Sequence, residues 1–223
     1  MTTLFGIFGA GGCGRGIMPL ARAQLAREGN DAARLVFIDD QVSAKDVNGH
    51  QVLSLEAFFQ TPAAGRIVAV AMANSRTREN LVRICEARGA GFWTVQAGNA
   101  VVMDDVEIGE GALISPFVTI TSNIRIGRHF HANIGSYVEH DCRLGDFVTF
   151  APGVKCNGNV VIEDHAYIGA GAVIRQGRPG APLTIGKGAT VGMGAVVARD
   201  VPAGTTVVGN PARPLIKNLD RTV

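Results

Sequence analysis

The stretch VEHDCRLGDFVTFAPGVKCNGNVVIEDHAYIGAGAVI, residues 138–174, places a core-type residue at every sixth position: Val138, Leu144, Phe150, Cys156, Ile162, Ile168 and Ile174. The ladder runs back through Ala132, Ile126, Ile120, Ile114 and Ile108 to Val102, thirteen rungs without a slip. It breaks once and resumes at Ile185, Val191 and Val197. A second set of small or apolar residues lies four positions after each rung, among them Val106, Ala112, Val118, Cys142, Val148 and Ala166. Period six matches neither a helix nor a simple alternating strand. It fits the hexapeptide repeat of a parallel β-helix, one short strand and one turn per hexad. Three hexads close a triangular coil, which predicts that Ile108 stacks on Ile126, Ile126 on Leu144 and Leu144 on Ile162. Burying each such side chain is worth about 1.5–3 kcal/mol. The same register directs Cys142 and Cys156 inward, as small core residues.

Composition agrees with a solenoid. Aromatic residues are 6% of the chain against 47% hydrophobic in total, which suits a narrow aliphatic interior. The formal net charge of +2 argues against a nucleic-acid surface. No apolar run approaches the roughly 20 residues of a membrane span. Residues Met1 to Phe8 lack the basic start of a signal peptide. With no CxxC pairing among Cys13, Cys85, Cys142 and Cys156, the chain reads as cytoplasmic with reduced thiols. The one break in the ladder is an insertion of five residues at 175–182 (RQGRPGAP), read either as a substrate or cofactor flap or as a tolerated insertion.

The first 97 residues read differently. LFGIF at 4–8, LVFIDD at 35–40 and RIVAVAM at 66–72 are strands. Helices are expected from about Ile17 to Glu28, and from a cap at Asn74 or Ser75 to about Arg88. FWTVQ at 92–96 leads into the repeats, and His50 falls in a loop. Strands alternating with helices imply a small, Rossmann-like α/β domain over 1–97, followed by the β-helix over 98–223. Gly9, Gly11 and Gly14 form GxGxxG between strand and helix, and Asp39 and Asp40 end the second strand. Such a turn favours a phosphate at the helix N-terminus. The unit is short for a dinucleotide fold, so a mononucleotide fits better; a turn that only packs helix on strand is the alternative.

Among five histidines, His140 sits outward in VEHD beside Asp141. A carboxylate beside an imidazole favours its protonated form and orients it, as a general base requires. His129, His131 and His165 also fall outward and are read as solvated. A metal site is not assigned, because His140 and His165 are 25 residues apart and do not stack.

Together GAGGCG, FIDD, the hexapeptide repeats, NIGSYVEHDCRLGDF, APGVKCNGNVVI and VVGNPAR resemble the nucleotide-sugar acetyltransferases, over nearly the whole chain. The resemblance implies a left-handed β-helix, trimers with active sites between solenoids, and acetyl-CoA as co-substrate. The acceptor would be the 4-amino group of a nucleotide-linked 4-amino-4,6-dideoxy sugar. It makes His140 the base and Asp141 its acidic neighbour, with Asn133 lining the substrate site. Gly11, Gly12, Cys13, Asp39 and Asp40 would hold the nucleotide. Thr149, Ala170 and Met193 would line the acetyl-CoA cleft. Two departures stand out: Thr149 replaces a histidine common in relatives, and Ala71 in the nucleotide pocket replaces a glycine. A backbone N–H near Gly158 is expected to stabilise the tetrahedral oxyanion. Three alternatives stay open: O-acetylation of a sialic-acid-like sugar, a non-enzymatic nucleotide-binding module, and a histidine-metal hexapeptide enzyme.

Overall fold

A computed structural model describes residues 2–30 and 34–215; residues 216–223, the end of the expected β-helix span, lie outside the described residues. The N-terminal unit is built from β1 (Leu4–Phe8), α1 (Gly12–Arg27), β2 (Leu35–Ile38), β3 (Asp46–Val47), β4 (His50–Leu53), α2 (Leu55–Gln60), β5 (Arg66–Val70), α3 (Ser75–Ala87) and β6 (Gly91–Phe92). These strands form one sheet in the order β3-β4-β2-β1-β5-β6, parallel except for the β3–β4 hairpin. The chain leaves β1 to one side for β2 and later returns to its other side for β5. The crevice at the strands' carboxyl ends there is the place where such sheets hold ligands.

Several expectations need correction. Helix α1 starts at Gly12, five residues before the expected Ile17. The cause is close packing: a Cβ on Gly14 would lie 1.7 Å from the Gly9 carbonyl oxygen, so the helix grows directly out of the glycine turn. His50 is not in a loop but opens β4, and the β3–β4 hairpin and α2 carry no strong period. FWTVQ is not one strand. Gly91–Phe92 pairs with β5, and Val95–Gln96 already pairs with Leu113–Ile114 in the solenoid. The α3 cap is as read, with Asn74 accepting from the Thr77 N–H at 2.9 Å.

The repeats form three further sheets of eight, six and five strands, the faces of a prism, all parallel except for the terminal pair Thr206–Val208 and Arg213–Pro214. The first face runs from Val95–Gln96 through His131–Ala132 and Thr149–Phe150 to Thr206–Val208. The second includes Tyr137–Val138 and Lys155–Cys156, and the third Ile124–Ile126, Arg143–Leu144 and Val160–Ile162. Registers Ile108↔Ile126, Ile126↔Leu144 and Leu144↔Ile162 place the rungs as the period predicts. Cys142 and Cys156 are fully buried in this core. No helix among the described residues is long and apolar enough to cross a membrane.

Corners of the prism turn through left-handed backbone. Phe117, Asn123, His129, Asp141, Phe147, Asn159 and His165 all have φ between +53° and +61°. Asn and Asp tolerate this region best among non-glycine residues. Asp141 therefore occupies a corner that its residue type suits, and the corner carries its neighbour His140 into the open.

Candidate active site

His140 stands on the edge between the second and third faces. Its Nδ1–H donates to Asp141 Oδ2 at 2.8 Å. Both side chains are about half exposed. With Nδ1 committed to the carboxylate, Nε2 is left as the acceptor, the arrangement a general base needs. One coil further on, Gly158 faces the ring: a Cβ there would lie 2.6 Å from His140 Cε1 and Nε2. Among the described residues, the Gly158 N–H has no hydrogen-bond partner. It is free to meet a developing oxyanion.

The corner beneath is braced by groups that sequence reading missed. Tyr137 donates its hydroxyl to Asn157 Oδ1 at 2.9 Å, and Asn157 Nδ2 donates to the Ile174 carbonyl at 2.9 Å. The Cys142 thiol donates to the Asn157 carbonyl at 3.3 Å. Asn157 precedes Gly158, so these bonds fix the peptide that faces His140.

Ala170 and Met193 lie on a different edge, between the first and second faces. They occupy successive coils, with Gly194 N–H donating to the Ala170 carbonyl at 2.8 Å. Met193 is 82% exposed. Asn133 belongs to the same edge and donates from Nδ2 to the Phe150 carbonyl. One chain thus holds its expected base and its expected coenzyme-lining residues on separate edges.

Thr149 is not where the resemblance puts it. It is 3% exposed and accepts from Arg78 Nη2 at 2.9 Å, so it lies in the junction between the two units rather than in an open cleft. Arg78, from α3, is fully buried there. It also donates to the Met72 carbonyl at 2.6 Å, the Phe147 carbonyl at 2.7 Å and His131 Nδ1 at 3.3 Å. Burial lowers its pKa to about 10.

His129, His131 and His165 are not solvated, as their outward positions led us to expect. They are 0%, 3% and 8% exposed, because the N-terminal unit covers them. His129, Phe147 and His165 stack with centroid spacings of 5.2 Å, and Phe92 closes the column edge-on. His131 donates from Nε2 to the Val70 carbonyl at 3.1 Å while Nδ1 accepts from Arg78, which fixes it as neutral. Burial first, then the neighbouring arginines, lowers the His129 pKa to about 4 and pushes His131 well below its ordinary value. The eighteen-residue spacing of 129, 147 and 165, one full coil, was the available signal for this column. Among the described residues no three potential metal ligands gather.

The glycine turn divides into two roles. Gly9 and Gly14 are required by close backbone contact, whereas nothing stands within 4 Å in front of Gly11 and Gly12. Gly11 caps α1 with no side chain, and no acidic residue occupies its first turn, which leaves the dipole end open to an anion. Asp39 accepts from the Ala10 and Gln41 N–H groups at 2.8 and 2.9 Å, so it holds the turn in shape. Asp40 accepts from Leu55 N–H with Oδ1 and is exposed. Cys13 is partly buried, which raises its thiol pKa against the opposing effect of Arg78, and Ala71 is buried at the strand end beside the turn. A cavity of about 550 Å³ opens between the start of α3 and the first face, lined by Asn74, Arg76, Tyr167 and Lys187 and away from His140.

A scan against models of known protein families gives no match. Individual proteins do match. The chain is 54% identical over 210 residues to GDP-perosamine N-acetyltransferase of Escherichia coli O157:H7, covering 94% of this chain and 95% of that one. WeeI from Acinetobacter baumannii AYE superposes with a TM-score of 0.93 at 56% identity, over 96% of this chain and all of WeeI. PerB from Caulobacter crescentus, solved in complex with CoA and GDP-perosamine, superposes with a TM-score of 0.75 at 27% identity, over 96% of this chain and 97% of that one. With both the repeat prism and the glycine-turn unit shared along nearly its full length, the chain belongs to the hexapeptide-repeat nucleotide-sugar N-acetyltransferases.

Proposed function

We propose that the chain moves the acetyl group of acetyl-CoA onto the 4-amino group of a nucleotide-linked 4-amino-4,6-dideoxy sugar, with GDP-perosamine as the acceptor to test first. The observation that carries the reading is the His140–Asp141 pair at 2.8 Å, half exposed and packed beside Gly158, whose N–H has no partner among the described residues. His140 Nε2 takes a proton from the amine as it attacks the thioester carbonyl. Asp141 stabilises the imidazolium that results. The Gly158 N–H meets the oxyanion, which collapses to expel the thiolate, and the proton on His140 is available to that leaving sulfur. No acyl-enzyme is needed: Cys142 is buried with its thiol turned to the backbone carbonyls of His140 and Asn157, and burial raises the pKa of the Cys13 thiol.

The N-terminal unit, up to β6, is read as a Rossmann-like nucleotide unit with Gly11, Gly12, Cys13 and Asp40 toward the ligand, and the prism from Val95 onward as a left-handed acyl-transfer unit. Separate edges for His140 and for Ala170, Met193 and Asn133 support a homotrimer, in which the edge of one prism completes the site on the next. The absence of a long apolar helix among the described residues, and an acetyl-CoA co-substrate, support a cytoplasmic enzyme.

The test is mass spectrometry of products formed from acetyl-CoA with GDP-perosamine and with its 4-hydroxyl counterpart. A mass gain of one acetyl group on the amine alone supports the reading. Transfer to the hydroxyl sugar alone, or no transfer, contradicts it.

A further inference from the structure

The five-residue insertion lies beside the His140 edge and brings arginines to it. Gly177 N–H donates to the Gly158 carbonyl at 3.0 Å, so the loop leaves the prism one coil beyond the glycine that faces His140. A Cβ on Gly177 would sit 2.2 Å from the Asn159 carbonyl oxygen, which pins this exit point. Arg178 and Ala181 then exchange backbone hydrogen bonds at 3.0 and 2.9 Å around Gly180, at φ +75°. The loop is a closed turn of defined shape.

Arg143 and Arg178 border a cleft of about 200 Å³ with Asp141. Arg175, Arg178 and Arg199 border an adjoining cavity of about 450 Å³. Arg178 lines both, so the two form one basic track that starts at the catalytic carboxylate. Arg76, Arg83, Arg88, Arg125 and Arg128 each have a carboxylate within 3.6 Å. The four on the track form no ion pair among the described residues, and all four are exposed. The acids that line the two cavities each have a bond elsewhere, Asp141 with His140 and Asp200 with the Thr184 N–H at 2.9 Å. Clustered, unneutralised guanidinium groups repel one another unless an anion joins them, and their planar forks suit phosphate oxygens.

We propose that this track seats the phosphate groups of acetyl-CoA. The inference rests on the proposed function and adds to it the residues that hold the coenzyme's charged end. Reach decides between the two phosphorylated substrates. Adjacent strands of a coil stack lie about 4.8 Å apart, so Gly177 stands about 10 Å and Arg199 about 14 Å along the edge from His140. The long pantetheine arm separates a CoA thioester from its phosphates by such a span. A sugar 4-amine is separated from its own diphosphate only by the width of one ring.

The test is the triple variant Arg175→Gln, Arg178→Gln and Arg199→Gln, with Arg199→Gln alone as a variant remote from the loop's hydrogen bonds. The expected result for the triple variant is a KM for acetyl-CoA raised about tenfold or more, as for the loss of charge-assisted contacts. Its KM for GDP-perosamine stays within about twofold on the same scale. Arg199→Gln gives a smaller rise for acetyl-CoA alone. Acetyl-pantetheine, which has no phosphate, is used equally by wild type and variants. Calorimetry with CoA shows affinity falling with salt in the wild type and a flatter dependence in the triple variant. An unchanged KM for acetyl-CoA in an active, folded triple variant overturns the inference alone. A rise for GDP-perosamine without one for acetyl-CoA overturns it as well and assigns the track to the sugar nucleotide. A wild-type chain that binds no CoA overturns both this inference and the proposed function.

Discussion

Two edges of the same prism carry outward histidines from the same repeat, and the two edges have opposite environments. On one, His140 and Asp141 are half exposed and, among the described residues, their side chains hydrogen-bond only to each other. On the other, His129 and His165 are stacked on Phe147, sealed under the N-terminal unit and deprived of ready protonation. Corner geometry is shared: Asp141, His129, Phe147 and His165 all have positive φ. The repeat therefore decides that a residue points away from the core. What lies in front of it decides whether it meets water, substrate or another domain, and with that its proton affinity.

Variants can break this contrast, and the largest expected effect on stability is at the sealed edge. Arg78→Met removes the cation that ties α3 to the Met72 and Phe147 carbonyls, Thr149 and His131. Leaving those buried acceptors unpaired is expected to cost about 3 kcal/mol, seen as a lower Tm. An unchanged Tm would show that the junction does not depend on it. At the open edge, Gly158→Ala pushes a methyl group against the His140 ring. Turnover is expected to fall about tenfold to hundredfold with Tm unchanged, about 1.4–2.7 kcal/mol in the barrier. Equal loss of both would mean that Gly158 serves the fold instead.

Acid sharpens the same comparison. The folded pKa of His129 is about 4 against an ordinary 6.5, so between those values the unfolded chain takes up a proton that the folded chain refuses. Stability is then complete above pH 6.5 and is lost as the pH falls toward 4, by about 1.4 kcal/mol per pH unit for each such histidine. His131, lowered further, adds to the slope. Denaturant titrations across this window measure it, and a flat profile would contradict the sealed edge. The smallest effect is expected far from both edges: Asp40→Asn raises KM for GDP-perosamine a few-fold and leaves that for acetyl-CoA alone. A parallel rise in both constants would make Asp40 structural.

How much of this was legible follows from what a period can encode. The rungs Ile108, Ile126, Leu144 and Ile162 were readable because an inward side chain answers only to its own coil stack. The burial of Cys142 and Cys156 was readable for the same reason, as was the outward placement of His140. The fate of His129, His131, His165 and Thr149 was not, because it depends on a second unit about which the ladder says nothing. The spacing of 129, 147 and 165 by one coil could have signalled the stacking of those three rings but not the lid over them. Arg78 was hidden more deeply: nothing in SRTREN sets one arginine apart from the other, and only docking turns Arg78 inward. Asp39 shows the reverse case, where an acid read as a nucleotide ligand spends both oxygens on backbone N–H groups and shapes the turn.

The open edge is tested most directly by the turnover of GDP-perosamine and acetyl-CoA by His140→Ala, measured on protein that retains the wild-type Tm. The account predicts a kcat lowered by about 10²–10⁴, the usual worth of a general base. A kcat near that of the wild type would contradict it, and would leave His140 as no more than an exposed corner of the prism.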